Sequence, residues 1–270
     1  MADPNAAFVG SIPDAYDSYL GPLLFHPFAD DLAARVAVAP GLRVLEIACG
    51  TGILTERLLK RLGGQGAIVA TDLNEAMFAN AQRRGIAGPG LEWRQADGAN
   101  LPFDDSSFDA VVCQFGLMFF PDKAAGVREA YRVLKPGGSY LFNVWDAMDA
   151  NPAPKIAYEA SVEYFPENPP QFMRVPFSLH DPEPVRAWLA EAGFQDIEQL
   201  TLSKEGVSPS AAQAAIGLVE GSPLYTEIMN RRPEALADIK ATVASNVAAR
   251  LGDHPVRCPL RAHIFSARRP

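Results

Sequence analysis

The sequence Val44-Leu45-Glu46-Ile47-Ala48-Cys49-Gly50-Thr51-Gly52 decides the fold of this chain. An apolar strand ends beside a glutamate, a glycine turn follows, and residues 53–61 have a helical pattern. A second apolar strand, residues 67–71, leads directly to Asp72. This order of elements builds a nucleoside pocket at the carboxyl end of a parallel sheet. We therefore expect Asp72 to accept hydrogen bonds from ribose hydroxyls.

Strand and helix patterns alternate outward from this stretch, which is typical of βαβ units and a mostly parallel sheet. The predicted strands are residues 43–47, 67–71, 91–95, 110–115, 139–144, 196–202 and 260–267. The predicted helices of the repeat are residues 53–62, 74–84, 123–134 and 185–192. The sequence thus predicts an α/β fold with a Rossmann-like, doubly wound sheet whose last strand is antiparallel.

Three segments fall outside this repeat. We expect residues 1–40 to form an N-terminal cover that contains a helix over residues 27–38. Residues 41–203 and 257–270 would form the sheet domain. Residues 146–180 and 204–256 would be helical lid insertions, with helical pieces at 156–164, 209–219, 223–230 and 233–251. Such segments would cover the carboxyl edge of the sheet, where pockets open in this architecture.

The composition of the chain limits the classes of partner that it is expected to bind. The 270 residues carry a formal charge of −8 and scattered basic residues, which disfavours nucleic acid because phosphate binding needs clustered Lys and Arg. No apolar run reaches the roughly 20 residues that cross a bilayer, so no membrane span is expected. Three cysteines without metal-like spacing and an N-terminus without a basic apolar leader predict a cytoplasmic location. A small-molecule partner is favoured, and the sequence leaves a homodimer open.

The glycine turn separates two classes of nucleotide cofactor. A dinucleotide fingerprint reads Gly-x-Gly-x-x-Gly, but Thr55 and Glu56 stand where its third glycine should fall. Three further motifs follow the glycine turn: Asp97-Gly98, residues 101–109 (Leu-Pro-Phe-Asp-Asp-Ser-Ser-Phe-Asp) and residues 129–138 (Glu-Ala-Tyr-Arg-Val-Leu-Lys-Pro-Gly-Gly). Together they resemble the class I S-adenosylmethionine-dependent methyltransferases, in the small-molecule branch that includes ubiquinone/menaquinone C-methyltransferases. The resemblance is strong over residues 42–145 and weak over residues 181–203 and 259–268.

The resemblance implies S-adenosyl-L-methionine as the cofactor. Glu46 would supply negative charge near its cationic methionyl end, and Asp97 would accept a hydrogen bond from the adenine amino group. The expected cofactor-binding residues are Tyr16, Tyr19, Glu46, Ala48, Gly50, Thr51, Gly52, Asp72, Leu73, Met77, Asp97, Gly98, Ala99, Gln114 and Phe115.

Methyl transfer from a sulfonium is an in-line displacement with a neutral leaving group. Alignment and exclusion of water can therefore lower much of the barrier, and a general base is needed only if the acceptor arrives protonated. The catalytic candidates are His26, His180 and Tyr19. Trp145 and Met148 are expected to border the acceptor site, with an apolar wall of Phe119, Phe120, Tyr164, Phe165 and Phe172. No metal is expected, since Asp146 and Asp149 resemble an oxygen-ligand set poorly.

Other classes of protein fit less well. Residues 114–117, Gln-Phe-Gly-Leu, lack the Asn/Asp-Pro-Pro-aromatic turn that holds a flipped base in nucleic-acid methyltransferases. The expected reaction is methyl transfer to a small, partly apolar acceptor through oxygen, nitrogen or carbon. The alternatives are a protein that does other chemistry on S-adenosylmethionine or has a regulatory role, and, more remotely, a nicotinamide oxidoreductase.

Overall fold

The computed structural model describes residues 7–270, which build a seven-stranded sheet flanked by helices. The strands lie in the order β3-β2-β1-β4-β5-β7-β6. In chain order they are β1 (Arg43–Ile47), β2 (Ala67–Asp72), β3 (Leu91–Gln95), β4 (Phe108–Gln114), β5 (Leu134–Trp145), β6 (Gln195–Ser208) and β7 (Val256–Arg268).

The directions of the strands confirm the predicted fold class. β1 pairs in parallel with β2 and β4, and the parallel pairing continues to β3 on one side and β5 on the other. β7 is antiparallel to both of its neighbours, β5 and β6, as predicted for the last strand. The central strands carry Val, Ile, Leu and Ala on both faces and are almost fully buried, which suits a sheet covered by helices on both sides.

The described N-terminal residues form one continuous helical segment that the sequence did not predict in full. It consists of α1 (Ile12–Ala15), a π-helix (Tyr16–Phe25) and α2 (His26–Arg35). Only the last part corresponds to the helix predicted over residues 27–38. A π-helix closes i→i+5 hydrogen bonds, so residues four to five apart share a face. Tyr16 and Phe25 are nine residues apart, which is two such turns, so they share a face and their rings stack with centroids 4.8 Å apart.

The remaining helices follow the predicted repeat and the predicted covers closely. They are α3 (Ile53–Leu62), α4 (Glu75–Arg83), α5 (Lys123–Val133), α6 (Pro152–Tyr164), α7 (Glu183–Ala192), α8 (Ala211–Glu220), α9 (Leu224–Arg231) and α10 (Leu236–Leu251). α2 packs on α3 and α5 on α7, whereas α10 packs on both α6 and α8. No helix formed by residues 7–270 is long and apolar enough to cross a membrane.

Two glycines let α8 approach the π-helix closely. A Cβ atom on Gly217 would lie 2.8 Å from the backbone of Tyr19 and of Leu20. A Cβ atom on Gly221, one turn later, would lie 3.2 Å from the Tyr16 backbone. Contacts below 3.0 Å do not occur for real Cβ atoms, so Gly217 is the residue that this backbone contact requires.

Candidate functional site

The strand order reverses between β1 and β4, and the crevice at the carboxyl ends of these strands is where ligands bind in open α/β sheets. The residues that follow the two strands have left-handed backbone conformations although neither is glycine. The φ angle of Ala48 is 56° and that of Phe115 is 50°. Such strained conformations cluster at functional sites. The amide of Phe115 donates to the side chain of Asn143 at 2.9 Å, which fixes the turn after β4.

Two cavities open at this point. The first cavity is lined from the ends of β1, β2, β3 and β4. Its lining residues are Phe8, Tyr16, Ile47, Ala48, Gly50, Asp72, Leu73, Asn74, Met77, Ala96, Asp97, Gly98, Gln114, Phe115, Gly116, Phe119, Phe120 and Pro121. Ten of the fifteen residues expected at a cofactor are therefore brought together around one cavity.

Asp72 lies at the end of β2 and faces the first cavity with a carboxylate held in a fixed orientation. One oxygen accepts from the amide of Gly50 at 2.9 Å, and the other accepts from the amide of Asn74 at 2.8 Å. Burial raises the pKa of Asp72 above its ordinary value, while these two amides act in the opposite direction. Each carboxylate oxygen keeps a further lone pair with which to accept a ligand hydroxyl.

Asp97 and Gly98 enter the first cavity from the loop after β3. Asp97 is exposed, and its carboxylate accepts from the amide of Ala99 at 2.9 Å. A Cβ atom on Gly98 would lie 2.3 Å from the ring of Phe120, so this glycine makes room for an aromatic wall of the cavity. Ala99 itself does not line the cavity.

Glu46 lies beneath the first cavity rather than in its wall. Its carboxyl group is buried and accepts from the hydroxyl of Thr55 at 2.6 Å. Burial raises the pKa of Glu46 to about 8, against the opposing effect of the Thr55 hydrogen bond. Glu46 is thus largely protonated at neutral pH in the structure as it stands.

Thr51 and Gly52 in the glycine turn also lie behind the cavity wall. The Thr51 hydroxyl donates to Asp17 at 2.9 Å and so contacts the N-terminal helical segment. Gly52 has a φ angle of 79°, and a Cβ atom there would lie 3.0 Å from the side chains of Ala81 and Trp93. These two residues shape the turn that presents Gly50 to the cavity.

The second cavity, here called the aromatic cavity, lies next to the first. Its lining residues are Phe8, Tyr16, Leu20, Leu24, Phe25, Phe115, Phe119, Trp145, Pro154, Phe172, Met173, Pro176, Phe177, Leu218 and Ser222. Phe8, Tyr16, Phe115 and Phe119 line both cavities, so the two spaces adjoin at these residues. The rings of Phe115 and Trp145 stack on each other with centroids 3.9 Å apart, and both line the aromatic cavity.

The aromatic cavity contains no charged side chain among its described lining residues. The phenol of Tyr16 is its one titratable group, and burial raises the pKa of Tyr16 above the ordinary value. Tyr16 is therefore protonated throughout the neutral range and can donate a hydrogen bond but cannot serve as a base.

The three catalytic candidates line neither cavity. His26 is half-buried near Arg57, and burial lowers the pKa of His26 to about 4. His180 is exposed, with its ring against the carbonyl oxygen of Phe177 at 2.9 Å. Tyr19 packs against Gly217 of α8. Within residues 7–270, no cluster of three or more His, Cys, Asp or Glu side chains could hold a metal ion.

The structure places the residues of the expected apolar wall unevenly. Trp145, Phe119 and Phe172 line the aromatic cavity, and Phe120 lines the first cavity. Tyr164, Phe165 and Met148 line neither. Sequence reasoning missed Phe177, Leu218 and Ser222, because each lies in an unremarkable segment and reaches the cavity only through the packing of α8 and of the loop before α7.

The part of the sequence that builds most of this site also matches a known family of domains. A model of the methyltransferase domain matches residues 44–138. The ubiquinone/menaquinone biosynthesis C-methyltransferase of Idiomarina loihiensis is 33% identical over 178 residues, covering 60% of this chain and 69% of the relative. The corresponding enzyme of Shewanella sp. (strain ANA-3) is 31% identical over 227 residues, or 75% of this chain and 87% of the relative.

Solved structures share the fold at lower sequence identity. Phosphoethanolamine N-methyltransferase 2 of Haemonchus contortus, solved with phosphomonomethylethanolamine and S-adenosylhomocysteine, is 20% identical with a TM-score of 0.61. The match covers 96% of this chain and 57% of that one. The [4+2]-cyclase SpnF is 21% identical with a TM-score of 0.54, over 90% of this chain and 80% of that one.

Proposed function

Because this chain belongs to the class I S-adenosylmethionine-dependent methyltransferases, we propose that it methylates a small, uncharged and largely apolar molecule held in the aromatic cavity. The observation that carries the proposal is that the two cavities adjoin. Phe8, Tyr16, Phe115 and Phe119 line both, so a ligand in each cavity would lie against the same four residues.

The residues of the first cavity fit S-adenosylmethionine. The carboxylate of Asp72 would accept from the ribose hydroxyls, and Asp97 with Gly98 would face the adenine. The side-chain oxygen of Gln114, at the end of β4, is buried and has no hydrogen-bond partner in the part of the chain that the structure describes. A buried acceptor of this kind is costly unless a ligand donates to it, and the methionyl ammonium is such a donor.

The other residues expected at the cofactor would contribute through the approach of their backbone or through apolar contact. Gly50 would bring its backbone close to the methionyl portion, while Ala48, Leu73, Met77 and Phe115 would provide apolar contacts. Glu46 would act from the layer beneath, because a cation in the first cavity favours its ionised form. Tyr16 would close the boundary between the two cavities. We assign no direct cofactor contact to Tyr19, Thr51, Gly52 or Ala99, since these residues lie behind the wall.

When bound, S-adenosylmethionine supplies a methyl group on a sulfonium whose displacement leaves a neutral thioether. The chain's own contribution is to hold the acceptor against the flat wall of Phe115 and Trp145 and to exclude water. Positioning of two reactants can lower a barrier by about 7–11 kcal/mol. His26, His180 and Tyr19 take no step in this proposal because they line neither cavity, so the acceptor must be nucleophilic without help from a protein base.

The absence of charge in the aromatic cavity supports an uncharged acceptor. A buried ion is costly without a partner, and no described lining residue offers one. Nucleic acid is disfavoured on the same ground, since the cavity presents no Lys or Arg to a phosphate. A cytoplasmic location agrees with three buried, unpaired cysteines.

The cofactor part of the proposal is tested by calorimetric titration with S-adenosylhomocysteine, with NAD as the control. Micromolar binding of the former and none of the latter is expected. Asp72→Ala should weaken binding by about 1–3 kcal/mol, because buried ribose hydroxyls would lose their acceptor. Asp238→Ala, at an exposed position on α10, is the matched control and should bind normally. Unchanged affinity in Asp72→Ala would contradict the assignment of the first cavity.

The transfer part is tested with labelled S-adenosylmethionine and uncharged aromatic acceptors, each paired with its carboxylated analogue. Label should pass to uncharged acceptors and much less to the carboxylated ones. Transfer confined to the carboxylated compounds would exclude the aromatic cavity as the acceptor site. Binding of the cofactor with no transfer to any acceptor would favour a protein that does other chemistry on S-adenosylmethionine.

A further inference from the structure

Ser222 is one of the few lining residues that bring a polar side-chain atom to the aromatic cavity. Twelve of the fifteen lining residues of the aromatic cavity have no polar side-chain atom; the exceptions are Tyr16, Trp145 and Ser222. The Ser222 hydroxyl is buried and has no hydrogen-bond partner among residues 7–270, and the residue is only 4% exposed. Native proteins rarely leave such a group unpaired, and each case calls for an explanation.

The position of Ser222 is fixed by packing on both sides. The preceding residue, Gly221, lies against the backbone of Tyr16 and donates its amide to the carbonyl oxygen of Gly217. The carbonyl oxygen of Ser222 accepts from the amide of Tyr225 at 3.0 Å, at the beginning of α9. The hydroxyl is therefore held on a rigid junction between α8, α9 and the π-helix.

The rest of the wall selects flat, apolar molecules. Eight of the lining residues are aromatic, and Phe115 stacks on Trp145 with an angle of 8° between the rings. Such a wall excludes charge but distinguishes poorly between ligands of similar shape, because apolar contact is not directional. A buried hydroxyl such as that of Ser222 can supply the missing discrimination, since a site built to hydrogen-bond a ligand rejects the analogue that lacks the matching group.

We propose that the Ser222 hydroxyl hydrogen-bonds one oxygen or nitrogen atom of a flat acceptor and so selects it over the corresponding hydrocarbon. The proposal rests on the proposed function, because it takes the aromatic cavity as the acceptor site. Ser222 is a specificity-determining residue in this account and takes no part in methyl transfer itself.

The test measures the affinities of 1-naphthol and naphthalene, two probes of one shape that differ by a hydroxyl, for protein saturated with S-adenosylhomocysteine. The wild-type chain should bind 1-naphthol about tenfold more tightly than naphthalene. Ser222→Ala should reduce that preference to about twofold or less and leave the affinity for naphthalene unchanged. An undiminished preference in Ser222→Ala would overturn the proposal, as would the failure of both probes to bind wild-type protein that binds S-adenosylhomocysteine.

Ser161→Ala is the matched control. Ser161 is equally buried, but its hydroxyl donates to the carbonyl oxygen of Tyr158 within α6 and does not line the cavity. This variant should keep the tenfold preference, and its loss there would overturn the proposal. Titration of each variant with S-adenosylhomocysteine distinguishes failure of the proposed function from failure of the Ser222 proposal. A wild-type chain that does not bind S-adenosylhomocysteine contradicts the proposed function, whatever the result for Ser222→Ala.

Discussion

Glu46 places a carboxyl group in a buried position that favours its neutral form. Burial raises the pKa of Glu46 from an ordinary 4.5 to about 8. The folded protein thus holds a proton that the unfolded chain loses, so this residue's contribution to stability is fully present below pH 4.5 and is lost as the pH rises to about 8. The difference is on the order of 4 kcal/mol across that window.

Glu46→Gln removes this dependence while keeping an oxygen that can accept from Thr55. We expect the free energy of unfolding of the variant to fall less between pH 5 and pH 8 than that of the wild-type protein, as measured by urea denaturation. Other ionisable groups are the same in both chains, so the difference between the two curves isolates Glu46. Parallel curves would show that Glu46 is ionised in the folded protein at neutral pH.

At the scale of elements, the contact between α8 and the π-helix controls the shape of the aromatic cavity. Leu20, Leu24 and Phe25 of the π-helix and Leu218 and Ser222 at the end of α8 all line it. Gly217→Ala should therefore push the two helices apart, because the new Cβ atom meets backbone and not a side chain that could move. We expect a loss of about 1–3 kcal/mol in the free energy of unfolding.

The sign of this effect distinguishes the contact from ordinary helix propensity. Alanine in place of glycine inside a helix normally stabilises it by roughly 0.5–1 kcal/mol. Thermal unfolding of Gly217→Ala should give a lower midpoint than the wild-type protein. A raised midpoint would mean that the helices do not approach as closely as the structure describes.

At the scale of the whole molecule, polar contacts tie the N-terminal segment to the sheet domain. The Asp17 carboxylate accepts from Thr51 at 2.9 Å and pairs with Arg84, while Asp14 accepts from Asn80 and pairs with Arg83 at 2.8 Å. Exposed ion pairs contribute little, and the Asp14–Arg83 pair is more than 60% exposed on both sides. Asp17, whose side chain is 14% exposed, should therefore matter more.

Limited proteolysis after Tyr16 and Tyr19 reports on this attachment. We expect S-adenosylhomocysteine to slow cleavage of the wild-type chain, because Tyr16 lines the first cavity. Asp17→Asn should be cut several-fold faster than wild type without ligand, and Asp14→Asn should be nearly unaffected. Equal rates for all three proteins, with and without ligand, would exclude an N-terminal segment that opens to admit ligands.

The sequence predicted the strands and helices whose ends are determined by local apolar patterns and short turns. β1, β3 and α3 have the predicted bounds because apolar periodicity and glycine turns define both ends of each. β6 runs six residues past the predicted end at Leu202, because its polar last part is held by pairing with β7, a distant segment. The π-helix was missed since Pro13 and Pro22 interrupt any helical pattern. Ser222 was missed because only the fold brings it to a cavity.

The placement of β7 also determines the order in which the sheet can be completed. Among the strands of residues 7–270, β6 has β7 as its one neighbour, and residues 209–255 separate the two strands in the chain. During synthesis, β6 emerges long before its partner exists. The backbone amide and carbonyl groups of β6 that later pair with β7 therefore remain hydrogen-bonded to water while α8, α9 and α10 are made. The parallel half of the sheet can assemble from early segments, but β6 can join it only through β7, the last strand to be made.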